Sequence, residues 1–241
     1  MRVDFSYFGV LTNKKMTKPI SIKDKLDAIH KKYSFFTEAE WNEEMAEQRL
    51  AVEYLQGNEV CLEIGACIGR NTIIISECLN KNGFVYSIES NPSIFNRLEK
   101  SIRDSKRENI IISNKPICSK RMMVNGWSSI TLDTDSKVLN GWTEVQTQTL
   151  DQIKQECRIS NFNTLVIDCE GAFYHILKDF KDIMNGVTKV FIENDFSVKQ
   201  HADYVHNVFS FLGFKVAKSV QLKGGPDFPC KDYFWQVWIK E

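Results

Sequence analysis

From Val60 onward the apolar residues come in short runs of four or five, each followed by a stretch in which they recur at helical spacing. Val60–Ile64, Phe84–Ile88, Ile110–Ser113, Thr164–Asp168 and Lys189–Glu193 read as strands, and helices fill the gaps. Strands alternating with crossover helices predict an α/β fold with a mostly parallel sheet. Asn91-Pro92 supplies an N-cap followed by proline at the first helical position, which specifies a helix to about Ser105. Gly186 is expected to close a helix that begins near Gly171, and Gly213 one that carries Ala202, Val205, Phe209 and Leu212. Between Lys120 and Val145 the pattern turns hairpin-like, with Gly126 and Gly141 as turn signals, and reads as an insertion after the third strand. Two further β-rich runs, Phe214–Gln221 and Tyr233–Ile239, are joined by a loop without a helix and so must pair antiparallel.

Ahead of Gly57 the texture is helical. Ser21 can cap a helix over 22–32, and Thr37-x-x-Glu40 is a capping box that opens a helix predicted to run to Gly57, with Trp41, Met45, Val52 and Leu55 along one face. Leu11 to Lys32 holds seven lysines against Asp24 and Asp27, whereas Tyr33 to Leu55 holds six glutamates against Arg49. The two blocks are expected to neighbour one another, the sharper alternative being a basic docking site on Lys14, Lys15 and Lys18. We therefore divide the chain into an N-terminal helical extension packed on the core, 1–57, and a Rossmann-like domain, 58–241, with the hairpin insertion near 120–145.

Composition narrows the class. A chain of 241 residues that is 43% hydrophobic and 26% charged is neither disordered nor fibrous, and 31 Lys+Arg against 31 Asp+Glu removes the global positive field of a dedicated nucleic-acid binder. The seven cysteines are odd in number, form no C-x-x-C pair and fall mostly in apolar runs, so they read as reduced, buried thiols. The first residues lack a charged segment followed by an apolar stretch, and no apolar run approaches about 18 residues. A cytoplasmic protein with no membrane span is the expectation.

The first strand leads into Glu63-Ile-Gly65-Ala-Cys-Ile-Gly69, and the second ends in Glu89, twenty-four residues after Gly65, where a carboxylate can accept both hydroxyls of a ribose. A dinucleotide site needs G-x-G-x-x-G to set a pyrophosphate on a helix N-terminus. Here only two glycines stand at G-x-x-x-G, and an acid two residues ahead would repel a pyrophosphate. It suits a cationic ligand such as S-adenosylmethionine.

Four stretches, Leu62–Gly69, Tyr86-Ser-Ile-Glu-Ser-Asn-Pro92, Val145-Gln-Thr-Gln-Thr-Leu-Asp-Gln-Ile153 and Val166-Ile-Asp-Cys-Glu-Gly-Ala172, resemble in order the motifs of the FkbM-type S-adenosylmethionine-dependent methyltransferases. The resemblance implies a Rossmann-like class I methyltransferase, mostly parallel with an antiparallel C-terminal strand. It implies a methyl-donor site from Glu63, Gly65, Ala66, Gly69, Asn71, Thr72, Glu89, Ser90, Asn91 and Asn114. It also implies transfer to a hydroxyl of a sugar, glycan or natural product. Family members usually carry Asp at position 63, Asn at 67 and an acid at 173, where this chain has Glu63, Cys67 and Phe173; an aromatic at 173 would favour a less polar, sugar-stacking surface.

Asp168 ends the strand expected beside the first, across the cleft from the donor methyl, and Glu170 follows it. Both are candidate bases, with His175 a helical turn on as a third. Glu193, with Trp127 and Ser129 of the insertion, is a candidate acceptor contact. Glu193-Asn194-Asp195 and Asp168 together offer oxygen ligands at two strand ends; a divalent metal there is the less favoured reading, and no metal ligand is assigned. The remaining alternatives are N-methylation, methylation of an RNA ribose using the basic helix face of Arg97, Lys100, Arg103, Lys106 and Arg107, and a non-catalytic cofactor- or protein-binding module.

Overall fold

Ser21 accepts the Asp24 N–H at 3.1 Å and opens α1 (Ile22–Lys32). These residues belong to a computed structural model that describes 20–224 and 227–240 of the chain; Lys14, Lys15 and Lys18 lie outside the described residues. The Thr37–Glu40 capping box forms in full, but the helix it opens is short. The α2 helix (Glu38–Glu43) stops at Glu44, whose φ of −115° and ψ of 27° leave the helical region, and α3 (Met45–Tyr54) begins afresh. The single helix predicted to Gly57 is therefore two. The break has a reason in charge: Glu43 and Glu44 both pair with the guanidinium of Arg70, and adjacent residues of one unbroken helix point about 100° apart.

The core alternates as the sequence predicts: β1 (Val60–Ile64), α4 (Arg70–Cys78), β2 (Phe84–Ile88), α5 (Pro92–Ser105) and β3 (Ile110–Ser113). The insertion follows as a separate antiparallel sheet of β4 (Arg121–Asn125), β5 (Ser128–Leu132) and β6 (Thr143–Val145), with β4 central. Then come α6 (Leu150–Cys157), β7 (Thr164–Ile167), α7 (Phe173–Asp179), β8 (Lys189–Glu193), α8 (Lys199–Phe211), β9 (Phe214–Val220) and β10 (Trp235–Lys240). The helix expected to reach Gly186 ends at Phe180, and a 3₁₀ turn over Lys181–Met184 replaces its last part, carrying Ile183 and Met184 into the core.

The main sheet runs β3-β2-β1-β7-β8-β10-β9, the first five parallel and β10 antiparallel to both its neighbours. The strand order reverses between β1 and β7, and open α/β sheets bind ligands beyond the carboxyl ends at such a point. Each strand divides its side chains between two cores by the period of two. Leu62, Ile64, Tyr86 and Leu165 join α6, α7 and α8 on one face. Cys61, Val85, Val166 and Phe191 face Ile73, Ile74 and Ile75 of α4 together with Trp41, Leu50 and Val52 of the N-terminal helices.

Among the described residues the two charge blocks meet through rings rather than ions. His30 of α1 stacks on Trp41 at 4.3 Å and bonds Gln48 at 2.7 Å, while Lys32 pairs with Glu77 and Lys23 with Asp27. On α5, Arg97 pairs with Glu40, Lys100 with Asp104 and Arg107 with Glu77. No described helix is long and apolar enough to cross a membrane.

Candidate functional site

A cleft of about 850 Å³ opens over the carboxyl ends of β1, β2, β7 and β8. Its floor depends on Gly65. With φ at +96°, a Cβ there would lie 1.5 Å from the Asp168 carbonyl oxygen, so the β1 and β7 ends can approach only if position 65 has no side chain. The N–H groups of Gly65 and Ala66 both donate to the Ile88 carbonyl at 2.9 Å, which fixes the turn against β2. Gly69, at φ +93°, packs its α-carbon towards Leu98 and Ile102 of α5.

Glu89 lies on the cleft, nearly buried, with Oε2 accepting the Cys67 N–H at 3.0 Å and Oε1 the Asn91 N–H at 2.7 Å. Burial raises its carboxyl above the ordinary range, and the two backbone bonds oppose the rise. Each oxygen keeps a lone pair free, which is what two vicinal hydroxyls require. Cys67 lines the cleft in the left-handed region at φ 48°, and burial pushes its thiol up to about 12. Ser90 also lines the cleft, whereas Asn114 donates from Nδ2 to the carbonyls of Glu89 (2.7 Å) and Ser90 (3.2 Å) and holds the end of β2 in place. Asn91 caps α5 through Ser93 N–H and donates to the Gly126 carbonyl at 3.0 Å, tying the insertion to the end of β2.

Several residues expected at the donor do not line the cleft. Glu63 points to the α4 face of the sheet, as Cys61 does, and is 2% exposed, with Thr72 Oγ1 donating to it at 2.6 Å. The alternation of strand side chains puts Glu63 under α4 rather than over the sheet edge, and it takes Thr72 with it. Ala66, Gly69, Asn71, Asn91 and Asn114 likewise act behind the cleft wall, in packing or in backbone bonds. Phe173 is fully buried against Phe209, so it offers the acceptor no stacking surface and its aromatic ring is core packing.

The opposite wall brings together Asp168, Glu170 and His175 with Glu193, and the insertion supplies Trp127 and Ser129. Trp127 is 61% exposed, in the turn between β4 and β5. Phe228, Phe234 and Trp235 complete the wall, and Trp235 Nε1 donates to Glu193 Oε2 at 2.7 Å. Burial, then the Asp195 charge, raises Glu193 to about 8; burial, then Glu170, raises Asp195 to about 7. Asp168 is held well above the carboxylate range by burial and then by Glu193, and Glu170 is raised by burial alone. Asp195 Oδ1 accepts the Gly171 N–H at 2.8 Å and shapes the turn that follows Asp168.

Sequence reasoning expected the N-terminal helices over the cleft through Tyr33, Phe35, Phe36 and Trp41 and missed the charged residues that reach it. Glu43, Glu44 and Arg70 line the cleft, and Glu47 of α3 reaches to Asp168 and Glu193. One signal for Glu47 was present. It stands at i relative to Leu50 and Ala51, in the apolar stripe of its helix, where an unpaired acid is out of place.

The profile of the Methyltransferase FkbM domain matches residues 63–218. Among solved structures, the chain is similar to the O-methyltransferase TomG from Streptomyces achromogenes, involved in tomaymycin synthesis and determined with S-adenosylmethionine. That likeness has a TM-score of 0.51 at 13% identity and covers 94% of this chain and 93% of that one. An O-methyltransferase from Bacillus cereus, in complex with S-adenosylhomocysteine, gives a TM-score of 0.50 at 12% identity over 90% of each chain. At such identities the likeness is one of fold. No curated protein matches the sequence.

Proposed function

We propose that this chain, which belongs to the FkbM methyltransferase family, transfers the methyl group of S-adenosylmethionine to a hydroxyl of a sugar, glycan or natural-product acceptor. The observation that carries the reading is Glu89, anchored by two backbone N–H groups on the cleft with a lone pair left on each oxygen. That is a ribose acceptor, and the Gly65 turn beside it lets backbone close on the rest of the nucleoside. The O-methyltransferases that share the fold, one with the donor and one with its demethylated product bound, support the donor and the oxygen acceptor.

In the reaction a lone pair of the acceptor oxygen forms a bond to the methyl carbon while the carbon–sulfur pair returns to sulfur. A methyl ether and S-adenosylhomocysteine result, and the hydroxyl proton must leave. Asp168 or Glu170, side by side on the cleft wall, takes it; a raised carboxyl is the stronger base once ionised. His175 can pass the proton to solvent. Most of the rate comes from holding the acceptor in line with the sulfonium, and Trp127, Ser129 and Trp235 form an aromatic and polar wall suited to a sugar ring.

Calorimetry with S-adenosylhomocysteine tests the reading. Glu89→Ala removes charge-assisted bonds of roughly 1.5–3 kcal/mol each and should weaken binding by about tenfold or more. Asp168→Asn and Glu170→Gln should keep that binding and lose methyl release on an acceptor pool. Unchanged affinity in Glu89→Ala would reject the donor site, and full turnover in both acid variants would reject them as bases.

A further inference from the structure

We propose that Asn194 and His206 are positioning residues for the acceptor, a bracket behind the cleft that fixes how Phe234 and Trp235 face it. Neither lines the cleft itself; both act through the turn that leads into β10. The segment Glu193-Asn194-Asp195 divides its side chains between three tasks. Glu193 lines the cleft and Asp195 holds the Gly171 N–H. Asn194, two residues after Ile192, continues the sheet face that α8 covers with Ala202, Val205 and Phe209, and it is fully buried.

Both ends of the Asn194 amide are engaged there. Its backbone N–H donates to the Phe234 carbonyl at 2.7 Å, and Nδ2 donates to the carbonyls of Tyr233 (2.9 Å) and Phe234 (3.1 Å) and to Gln236 Oε1 (3.2 Å). Turned over, the amide would set Oδ1 against two carbonyl oxygens, so one orientation alone is allowed. Oδ1 therefore faces α8, where His206 Nε2 donates to it at 2.8 Å. Burial, then the Lys199 charge, holds the imidazole down at about 4, so the ring is neutral, and this bond puts its one N–H on Nε2. The rings of Trp238 and Tyr233 flank it at 5.3 and 5.8 Å.

What the bracket fixes is a direction. The ladder from Trp235–Glu193 to Ile239–Lys189 already holds β10 on β8, and Asn194 lies just beyond its end, so the amide holds the turn and not the sheet. Phe234 stands at φ −64° and ψ −47°, and Trp235 begins the strand. The peptide plane between them carries the carbonyl that receives both Asn194 donors, and its orientation sets where the two side chains point. Trp235 Nε1 thereby meets Glu193 Oε2, while Phe234 packs on Phe228 at 5.2 Å and on the Trp235 ring at 4.8 Å. All four residues line the cleft. An indole held on Oε2 leaves Glu193 Oε1 to a hydrogen-bond donor of the acceptor, with an aromatic ring beside it; an indole free to turn does neither. Resting on the methyl-transfer reading, the bracket sets acceptor affinity and leaves the Glu89 end of the cleft alone.

Nuclear magnetic resonance of the full chain labelled with ¹⁵N-tryptophan tests the bracket, the Trp235 indole signal being assigned with Trp235→Phe. His206→Phe keeps a ring against Trp238 and removes the donor. The Trp235 indole signal should then move and its N–H exchange with solvent about tenfold faster, the loss of about one hydrogen bond, with S-adenosylhomocysteine affinity unchanged by calorimetry. His206→Gln, which keeps an N–H to give, should restore both readings. On an acceptor found by methyl release from a pool, His206→Phe should raise KM by a larger factor than it lowers kcat. His206→Leu replaces His206→Phe should the latter fail to fold. A Trp235 signal that stays in place in both variants, or an unmoved acceptor KM, overturns the proposal. So does exchange that quickens alike at every indole while S-adenosylhomocysteine affinity falls, which marks a general loosening. Wild type that binds no S-adenosylhomocysteine would instead retire the methyl-transfer reading and leave the coupling of His206 to Trp235 standing.

Discussion

Glu63 shows that the alternation of a strand, and not spacing from a glycine turn, places a side chain. Its spacing ahead of Gly65 pointed to a cationic ligand, yet Leu62 and Ile64 on one face and Cys61 on the other already decided that Glu63 looks toward α4. Burial raises its carboxyl from an ordinary 4.5 to about 7, with the Glu44 charge adding to the rise and the Thr72 bond opposing it. The sign follows. The unfolded chain gives up this proton from about pH 4.5 and the folded chain keeps it to about 7, so stability falls as pH rises through that window and no further above it. The group should cost on the order of 3 kcal/mol at pH 8. Glu63→Gln keeps an acceptor for Thr72 and should be more stable than wild type at pH 8 and equal to it at pH 4.5, by urea unfolding. A difference between the two chains that does not change with pH would refute the assignment. Glu47 was the opposite case: its place in an apolar stripe was visible, but its partners are more than a hundred residues away in sequence, and no local pattern names them.

At the scale of elements, the signals that were legible are those written next to the element they control. Ser21, Thr37–Glu40 and Asn91-Pro92 start helices where expected, and every strand of the parallel sheet lies within a residue of its predicted bounds. The break between α2 and α3 was not legible, because a capping box fixes where a helix begins and says nothing of a guanidinium at the start of α4 that pairs with both residues at its end. Arg70 is almost buried, whereas its partners differ: the Glu44 side chain is 14% exposed and that of Glu43 is 62%. Arg70→Leu strands the Glu44 carboxylate in a half-closed site and should cost about 3 kcal/mol. Glu43→Gln, at the solvent edge, should cost less than about 1 kcal/mol. Denaturant midpoints of the two variants make the comparison, and losses of equal size would show that the ion pairs do not set the break.

Across the whole molecule the cleft is assembled from pieces that no single motif contains: the sheet edge, the N-terminal helices, the inserted sheet and the segment before β10. The insertion is held at the Glu89 end of the cleft by the Asn91–Gly126 bond, and Trp127 stays largely exposed along that cleft. Its exposure means that few packing contacts depend on it. Trp127→Ala should raise the acceptor KM severalfold while melting temperature and S-adenosylhomocysteine affinity stay nearly constant. A clear drop in melting temperature with an unaltered KM would mark the ring as packing and shift attention to Phe228 and Trp235.

The place of β10 also sets an order of events during synthesis. It lies between β8 and β9, so β9, although made first, has no neighbour in the sheet until Trp235–Lys240 has left the ribosome. Until then β8 offers a bare edge that includes Val190, Phe191 and Ile192, the kind of edge on which nascent chains pair with one another. The parallel core can form early, but this side of the sheet waits for a strand more than forty residues downstream of the one it must cover. A stalled or truncated chain lacking β10 should therefore be caught by aggregation, while the β1 and β2 ends of the cleft, on the part already made, can still form.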